Sequence, residues 1–558
     1  MSKLANRLAN SANTDVLIVG SGPVGLTLSL ELSRYGIDHV LISDADGPST
    51  HPKCNTTSAR SMEHYRRLGV ANVLRFGGLP EDYPTDIAYF TRLGTIEVGR
   101  IRFPSAREAA QRLGKDNGVW QTPELQHRIS QIFMEQILLD EACRRTPADI
   151  RLRHRLLSYT QRGDQVTAAV QSLDTGGTHE LRCRWIVGCD GPRSTVRKVA
   201  GISYEGEDSA DRPMFGGTMI STYYRSDRLA EMLKGREGLM YWTVNPEIRS
   251  VTVAIDGHNR FLTHVQVPGG VEPESLAPPE FLPRIAGRQI DVEILSSAIW
   301  NAGYSLVAQR LVEGRAVLAG DSAHLITPTG GLGMNTGIDD VANLAWKLAG
   351  DLRGWGGPKL VESYDVERRP IGLRNTRAAS AIADTLGEFP IPSDIERSDS
   401  AGEEARDIVV RAIEHVKVKE FGTIGVQLGV RYEASPIIVP DGTPEPPDSP
   451  TDYVPTGRPG SRLPHFFLQD GSSVFDRLGM DFTLLDLSGE PRRAAEFLAA
   501  GRRRGIELTH VAIDPEHRSE ELGAPYVLVR PDGHVAWRGA ALSIEPIRLF
   551  DTVLGWQT

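Results

Sequence analysis

The chain has 558 residues, of which 40% are hydrophobic and 24% charged, and it carries a formal net charge of -10. That length exceeds one ordinary core, so about two to four domains are expected, and the acidic balance argues against a nucleic-acid partner. No apolar run approaches a membrane-spanning helix, MSKLANRLANSANT lacks the apolar core of a secretory signal, and Cys54, Cys143, Cys183 and Cys189 show no paired spacing; a cytoplasmic protein without disulfides, metal or membrane contact is therefore expected.

The most informative stretch comes first in the chain. The apolar run Val16–Val19 leads into GSGPVG, Gly20 to Gly25, then into a leucine-periodic helix and a second apolar run, Val40-Leu41-Ile42. Strand, glycine turn, helix and strand in that order are the dinucleotide-binding pattern. Gly20 allows the tight turn, Gly22 lets backbone approach a pyrophosphate, and Gly25 lets helix pack on strand. The helix N-terminus then offers unpaired N–H groups and a positive dipole end to the phosphates. The acid that usually ends the second strand is displaced: the position reads Ser43, followed by Asp44 and Asp46. Ser43 or Asp44 is the candidate ribose ligand, with an ordinary acidic loop as the plain alternative.

A helix is expected from about Ser58 to Leu68, stopped by Gly69, then a hairpin over about 84–107. A helical stretch follows near Leu125 to Arg144. The strand RWIVGCDG ends at Asp190-Gly191. Residues 202–300 read as β-rich, from the alternation and aromatic content of runs such as GGTMISTYY and GLMYWTV. The strand AVLAGDSAH leads to a long amphipathic helix with Ile338, Val341, Ala342, Ala345 and Leu348 on one face. Residues 376–430 look helical, and 436–462 is a Pro/Gly-rich linker. The tail from about 463 shows β-α-β-β order, and no cysteine follows Cys189, which removes any dithiol chemistry from it.

Three separated segments, GSGPVG, CDGPRSTVR (Cys189–Arg197) and GRAVLAGDSAHLITPTGGLGMNTGIDD (Gly314–Asp340), together resemble the flavin-dependent aromatic hydroxylases related to phenol and dichlorophenol hydroxylases. The resemblance covers nearly the whole chain. It implies an α/β fold: a Rossmann-type FAD-binding domain interleaved with a β-sheet substrate domain, plus a C-terminal thioredoxin-like α/β domain without redox cysteines. The segments would be 1–84, 108–200 and 301–385 for FAD binding, 85–107 and 201–300 for the substrate domain, 386–462 for a helical segment and linker, and 463–558 for the tail. The resemblance also implies FAD as cofactor, NADPH or NADH as a transient co-substrate, O2, an aromatic small-molecule substrate and a homodimer. Oxygen would pass to the ring from a flavin C4a-hydroperoxide.

Residue by residue, the resemblance assigns Asp321 to the ribityl hydroxyls and Pro328, Gly331 and Gly333 to a loop flat enough to lie against the isoalloxazine. Met334 and Asn335 would open a helix whose positive end faces the flavin. Asp190 and Arg193 would serve flavin packing and nicotinamide contact, and Gln131 and Arg60 would touch the flavin and its phosphates. Each has a plain reading too: Asp321 a helix cap, the glycines an ordinary loop, Arg60 a solvated charge. The acid that activates the phenol in phenol hydroxylases falls on Asn55, a neutral amide, and Cys54 stands where dichlorophenol hydroxylases tend to carry histidine. Asn55, Tyr241 and Asn245 are the catalytic candidates, with Tyr223, Trp242 and Arg249 as further shelf residues; for the shelf residues strand packing is the plain alternative. His324 is tempting as a base but fits a packing role. Other flavin chemistry on the same scaffold, Baeyer–Villiger oxygenation or dehydrogenation, and a flavoprotein that has lost its activity remain as alternatives. Because the flavin motifs all precede residue 341, a cut near Gly460 is expected to spare flavin chemistry.

Overall fold

The computed structural model describes residues 13–557 apart from 113–120, 146–147, 209–216, 269, 515–519 and 541–543; the N-terminal stretch discussed above lies, up to residue 12, outside the described residues. Strand Asn13–Val19 sits inside an eight-stranded sheet, between Thr178–Gly188 and His39–Ile42. Those pairings are parallel, as are Thr178–Gly188 with Ala316–Leu318 and His39–Ile42 with Ala148–Arg151. Parallel strands are covered on both faces, which is why Val16, Leu17 and Ile18 form an unbroken apolar run, all fully buried. Helix Pro23–Arg34 and the long helix Leu332–Arg353 pack together over the sheet.

Register places the motifs. Val19 lies opposite Gly188, and Gly188 opposite Leu318. The next residues on each strand, Gly20, Cys189 and Ala319, therefore emerge side by side at the carboxyl edge of the sheet, where open α/β sheets bind ligands. Two amides tie the edge: Cys189 N donates to Val19 O at 2.8 Å and Ala319 N to Gly188 O at 3.0 Å.

A second, seven-stranded sheet runs in the order Glu293–Asn301, Thr218–Arg225, Arg260–Gln266, Arg249–Ala254, Met240–Val244, Ile87–Phe90 and Glu97–Ile101. The hairpin Ile87–Ile101 thus joins the β-rich segment, through a parallel pairing of Ile87–Phe90 with Met240–Val244. Helix Ala59–Arg67 is capped by Ser58, whose hydroxyl accepts from Ser61 N, and Gly69 follows with φ 76°. The helix expected from Leu125 begins only at Gln131, because His127–Arg128 is spent on a two-residue pairing with Thr56–Thr57. The helix expected from 376 starts earlier and spans Lys359–Gly387. Pro370 sits inside it, where the missing N–H and the ring normally interrupt a helix.

The tail carries a four-stranded sheet, Thr509–Ala512, Thr483–Asp486, Tyr526–Val529 and Val535–Gly539 in spatial order, with helices Pro491–Arg503 and Pro546–Val553. It does not hang from a linker. The Pro/Gly-rich stretch before it lies along the last strand, with Val439 N donating to Ala536 O and Gly460 N to Val535 O. Trp346 of the long helix meets Phe482 edge to face at 5.7 Å. Beside this contact Arg530 is fully buried and donates to both oxygens of Glu367, at 2.7 and 2.9 Å. Lys347 Nζ donates to the same carboxylate at 2.7 Å. Arg462 pairs with Glu63, and Arg60 donates to the Asp532 carbonyl at 2.6 Å. Among the described residues no helix is long and apolar enough to cross a membrane.

These buried pairs change the expectation for a cut near Gly460. Removing the tail takes Arg530 from Glu367 and Arg462 from Glu63 and bares the interior that these buried pairs close, a loss far larger than that of a surface contact. Truncation is therefore expected to give aggregated protein instead of a working flavin unit. A finer test is Arg530→Met, which removes one partner of the buried pair. We expect it to lower the unfolding free energy by about 3–5 kcal/mol, read from the urea midpoint followed by tryptophan fluorescence.

Candidate active site

The three sheet-edge turns open onto a cleft of ≈ 570 Å³. On one side it is lined by Gly22, Pro23, Val24, Cys189, Gly191, Pro192, Asp321, Pro328 and the run Thr329–Gly331, then Gly333 and Met334. Gly20 has φ 112°, and a Cβ on it would stand 2.2 Å from Cys189 O. A Cβ on Gly25 would stand 2.0 Å from Gly20 O. Those two glycines are demanded by protein packing. Gly22 is different: a Cβ there would meet nothing within 4 Å, so the space in front of it is left for something outside the protein. Gly22 and Gly331 precede the two helices that face the cleft, and neither helix is capped by a side chain. Their first amides are thus free to receive a negatively charged group.

Asp321 follows the strand Ala316–Leu318 on a short 3-10 turn. Its backbone carbonyl accepts from Tyr204 Oη at 2.6 Å. Its carboxylate lines the cleft and accepts no hydrogen bond from a described residue. Enclosure by protein raises its pKa, opposed by nearby His324 and Lys53.

The opposite wall is a row across the second sheet. Trp242 pairs with Val251, Val251 with His264, His264 with Ser221, and Ser221 with Ala298, one residue from each of five strands. All five line the cleft, and so do Met240, Val253 and Trp300. Trp300 stands edge to face with His264 at 5.7 Å. The loop before helix Ala59–Arg67 bridges the two walls: His51 hydrogen-bonds Ser221 Oγ at 2.9 Å and Ser296 Oγ at 2.7 Å. Burial lowers the pKa of His51 and holds His264 down at about 4, so His264 is neutral at ordinary pH.

Not every residue singled out from sequence reaches this cleft. Asn55 and Gln131 do; Gln131 accepts from Cys54 N and donates to Glu135, which also lines it. Tyr241 does not, because strand alternation turns it to the other face of the sheet from Trp242, where its hydroxyl accepts from Gly238 N. Asn245 is buried in a turn, accepting from Glu247 N and Ile248 N and donating to Thr91 O. Arg60 spends its guanidinium on Asp339, Glu63 and the Asp532 carbonyl. Asp190 caps the helix Thr195–Val199, accepting from Ser194 Oγ, Thr195 N and Val196 N. Asn335 staples that region to the glycine loop: it accepts from Ser58 N and Ser61 Oγ and donates to Thr56 O and Gly331 O. Ser43 receives Ala45 N, and Asp44 points to solvent beside Arg155; neither lines the cleft. His324 is buried against Asp340 at 2.7 Å. Among the described residues no group of His, Cys, Asp or Glu could hold a metal ion.

Comparison with known proteins agrees with this geometry. Residues 13–379 match the FAD binding domain family, and residues 456–555 match the aromatic-ring hydroxylase C-terminal family. The chain belongs to the FAD-dependent aromatic-ring hydroxylases. This hydroxylase is 32% identical to a putative polyketide hydroxylase of Streptomyces halstedii, over 99% of this chain and 97% of that protein. It is 29% identical to the 2,4-dichlorophenol 6-monooxygenase of Delftia acidovorans, over 96% of each. The structure of the rebeccamycin biosynthetic enzyme RebC with reduced flavin superposes with a TM-score of 0.87 at 33% identity, covering 98% of this chain and 99% of that one. The protein is thus an enzyme of this kind, with FAD as its cofactor.

The sequence reading missed His51, Lys53, Arg128, Glu135 and Glu420, all on the cleft. His51 and Lys53 had a signal, their closeness to Cys54 and Asn55; the others become visible only when distant segments meet. The glycine geometry is open to a direct check. In Gly25→Ala the added methyl must displace the Gly20 carbonyl, so we expect a protein that fails to retain FAD, measured as the ratio of flavin to protein absorbance after gel filtration.

Proposed function

We propose that this hydroxylase uses NAD(P)H and O2 to place one oxygen atom on an electron-rich ring of a phenolic or fused-ring phenolic small molecule. The observation that carries the reading is the opposition, within one cleft, of a free Asp321 carboxylate and glycine loop to an aromatic wall built on Trp242, His264 and Trp300. FAD, when bound, supplies the redox chemistry and the activation of oxygen. This chain's residues do the rest. Asp321 would accept from ribityl hydroxyls, Gly22 and the uncapped amides after it would receive the pyrophosphate, and Pro328, Gly331, Gly333 and Met334 would lie against the flavin ring. The tryptophans and Val251 present flat apolar surface to the substrate ring and exclude water, which would otherwise divert oxygen to peroxide. The thiol-free tail we read as a thioredoxin-like unit whose part is structural.

Asn55 stands where the substrate hydroxyl would be read. Its Oδ1 accepts from Thr56 Oγ1 at 3.0 Å, and its amide nitrogen has no partner among the described residues. The names of the relatives, a polyketide hydroxylase and a chlorophenol monooxygenase, agree with a substrate bearing a ring hydroxyl.

A panel of phenols, dihydroxybenzoates and polycyclic phenols, scored for stimulated NAD(P)H oxidation and product mass, tests the reading; no stimulation by any ring-hydroxyl compound would reject it. Asp321→Ala removes a charge-assisted hydrogen bond of about 1.5–3 kcal/mol. FAD affinity, titrated on apoprotein, should fall on the order of tenfold to a hundredfold. Asn55→Ala should keep its FAD and raise the substrate KM or lower the product formed per NAD(P)H consumed.

A further inference from the structure

A carboxamide does not titrate near neutral pH, so Asn55 leaves the ring-hydroxyl proton without an acceptor. Among the cleft's other acceptors, Glu420 is a carboxylate set beside a cation, Arg128. Glu420 lies in the single π-turn Lys417–Phe421, which packs on the glycine loop Thr329–Gly331. Thr423, three residues on, comes within 3.8 Å of where a Cβ on Gly330 would stand. Glu420 lines the cleft and is 8% exposed. It accepts no hydrogen bond from a described residue, and its Oε2 is fully buried without a partner. A buried carboxylate left in that state costs free energy unless something outside the protein donates to it.

Arg128 lines the same cleft, 7% exposed, and lies over the Phe103 ring. It donates to Thr56 Oγ1, next to Asn55, while its Nε is buried without a partner. Each of the two charges acts on the other, yet no ion pair closes between them. A ring hydroxyl satisfies both, since it donates to one and accepts from the other. To the ionised carboxylate a carbonyl offers no donor and would serve only the arginine, and a hydrocarbon would serve neither.

We propose that Glu420 is the base that takes the ring-hydroxyl proton and that Arg128 holds the phenolate oxygen that results; the proposal rests on the reading of the enzyme as a phenol hydroxylase. The O–H bond of the substrate breaks, an O–H bond forms on the Glu420 carboxyl, and the electron pair stays on the phenolate oxygen, where it raises the electron density of the ring. Nothing is oxidised or reduced in this step.

The electrostatics match the task. Burial raises Glu420 to about 8, and Arg128 opposes the rise. Burial pulls Arg128 down to about 10, so it remains a cation around neutral pH. Tyr89, which faces Glu420 from the strand Ile87–Phe90, is held well above its ordinary 10 and stays neutral. A base must be ionised to act, so kcat/KM for a ring-hydroxyl substrate should rise with pH through about 8.

The test compares the wild-type holoenzyme with Glu420→Gln, using the ring-hydroxyl compound of the panel that best stimulates NAD(P)H oxidation. The variant should keep its FAD, lose roughly 10²–10⁴-fold in kcat/KM and lose the rising limb near pH 8. The loss should shrink for a dinitrophenol, which is already ionised at neutral pH. Glu420→Asp should restore the rising limb at a reduced rate. An FAD-loaded Gln variant with an unchanged pH profile would overturn the assignment and leave the hydroxylase reading standing. Loss of FAD from that variant would make Glu420 a structural group and overturn it as well. If no ring-hydroxyl compound stimulates the wild type, the reading and the inference fall together.

Discussion

Arg368 is the residue on which the arrangement of this molecule turns. It is fully buried and reaches two neighbouring acids at once, Asp339 at 2.5 Å and Asp340 at 2.8 Å. Asp340 holds the turn that carries Asp321, by accepting from Gly320 N at 3.1 Å, and fixes His324. Asp339 holds His64 and Arg60, and Arg60 reaches the carbonyl of Asp532 in the tail. A continuous run of buried charge therefore links the carboxyl edge of the first sheet to the last sheet of the chain. Charges taken out of water are expensive unless every one is paired, and a partly satisfied network is worse than an apolar core. The pairing holds Asp339 well below the usual carboxylate range and Glu63 and Glu367 at about 2, mainly through arginines that overcome the opposing effect of burial. Through Gly320 this network sets the position of the turn that brings Asp321 to the cleft.

That constraint explains which parts of the site were legible in the sequence. The glycine turns could be read because their reasons are local. Gly20 needs a positive φ and Gly25 a close backbone approach, and both needs follow from strand-turn-helix geometry within a few residues. Asp321 is marked by the family resemblance of the motif that carries it, and it lines the cleft. Arg60, Asp190 and Asn335 sit in equally recognisable motifs, yet the protein uses their polar atoms itself, and nothing in a motif says whether a guanidinium faces a ligand or a buried aspartate.

The second sheet failed differently. Its strands were recognisable from alternation, but alternation fixes a period and leaves the phase open. Tyr241 and Trp242 are neighbours on opposite faces, and only the packing of Tyr241 among Phe90, Leu229 and Phe261 decides which one meets the cleft. Glu420 and Arg128 were illegible for a third reason. The role proposed for them rests on their not being paired with each other, a property of the assembled cleft and of no segment alone.

The row across the second sheet has a consequence for how this enzyme can change over generations. Positions 221, 242, 251, 264 and 298 share one face, and their chain neighbours point to the other. A change of side chain at those five sites leaves the ladder hydrogen bonds in place, since these run through the backbone, although at position 221 it gives up the hydroxyl that His51 binds. If that face receives the substrate, as proposed above, choice of ring size and decoration is separable from the flavin-binding turns, and selection can explore it one position at a time. On that proposal, a library confined to these alternate sites would vary the substrate wall while leaving the glycine turns and Asp321 untouched.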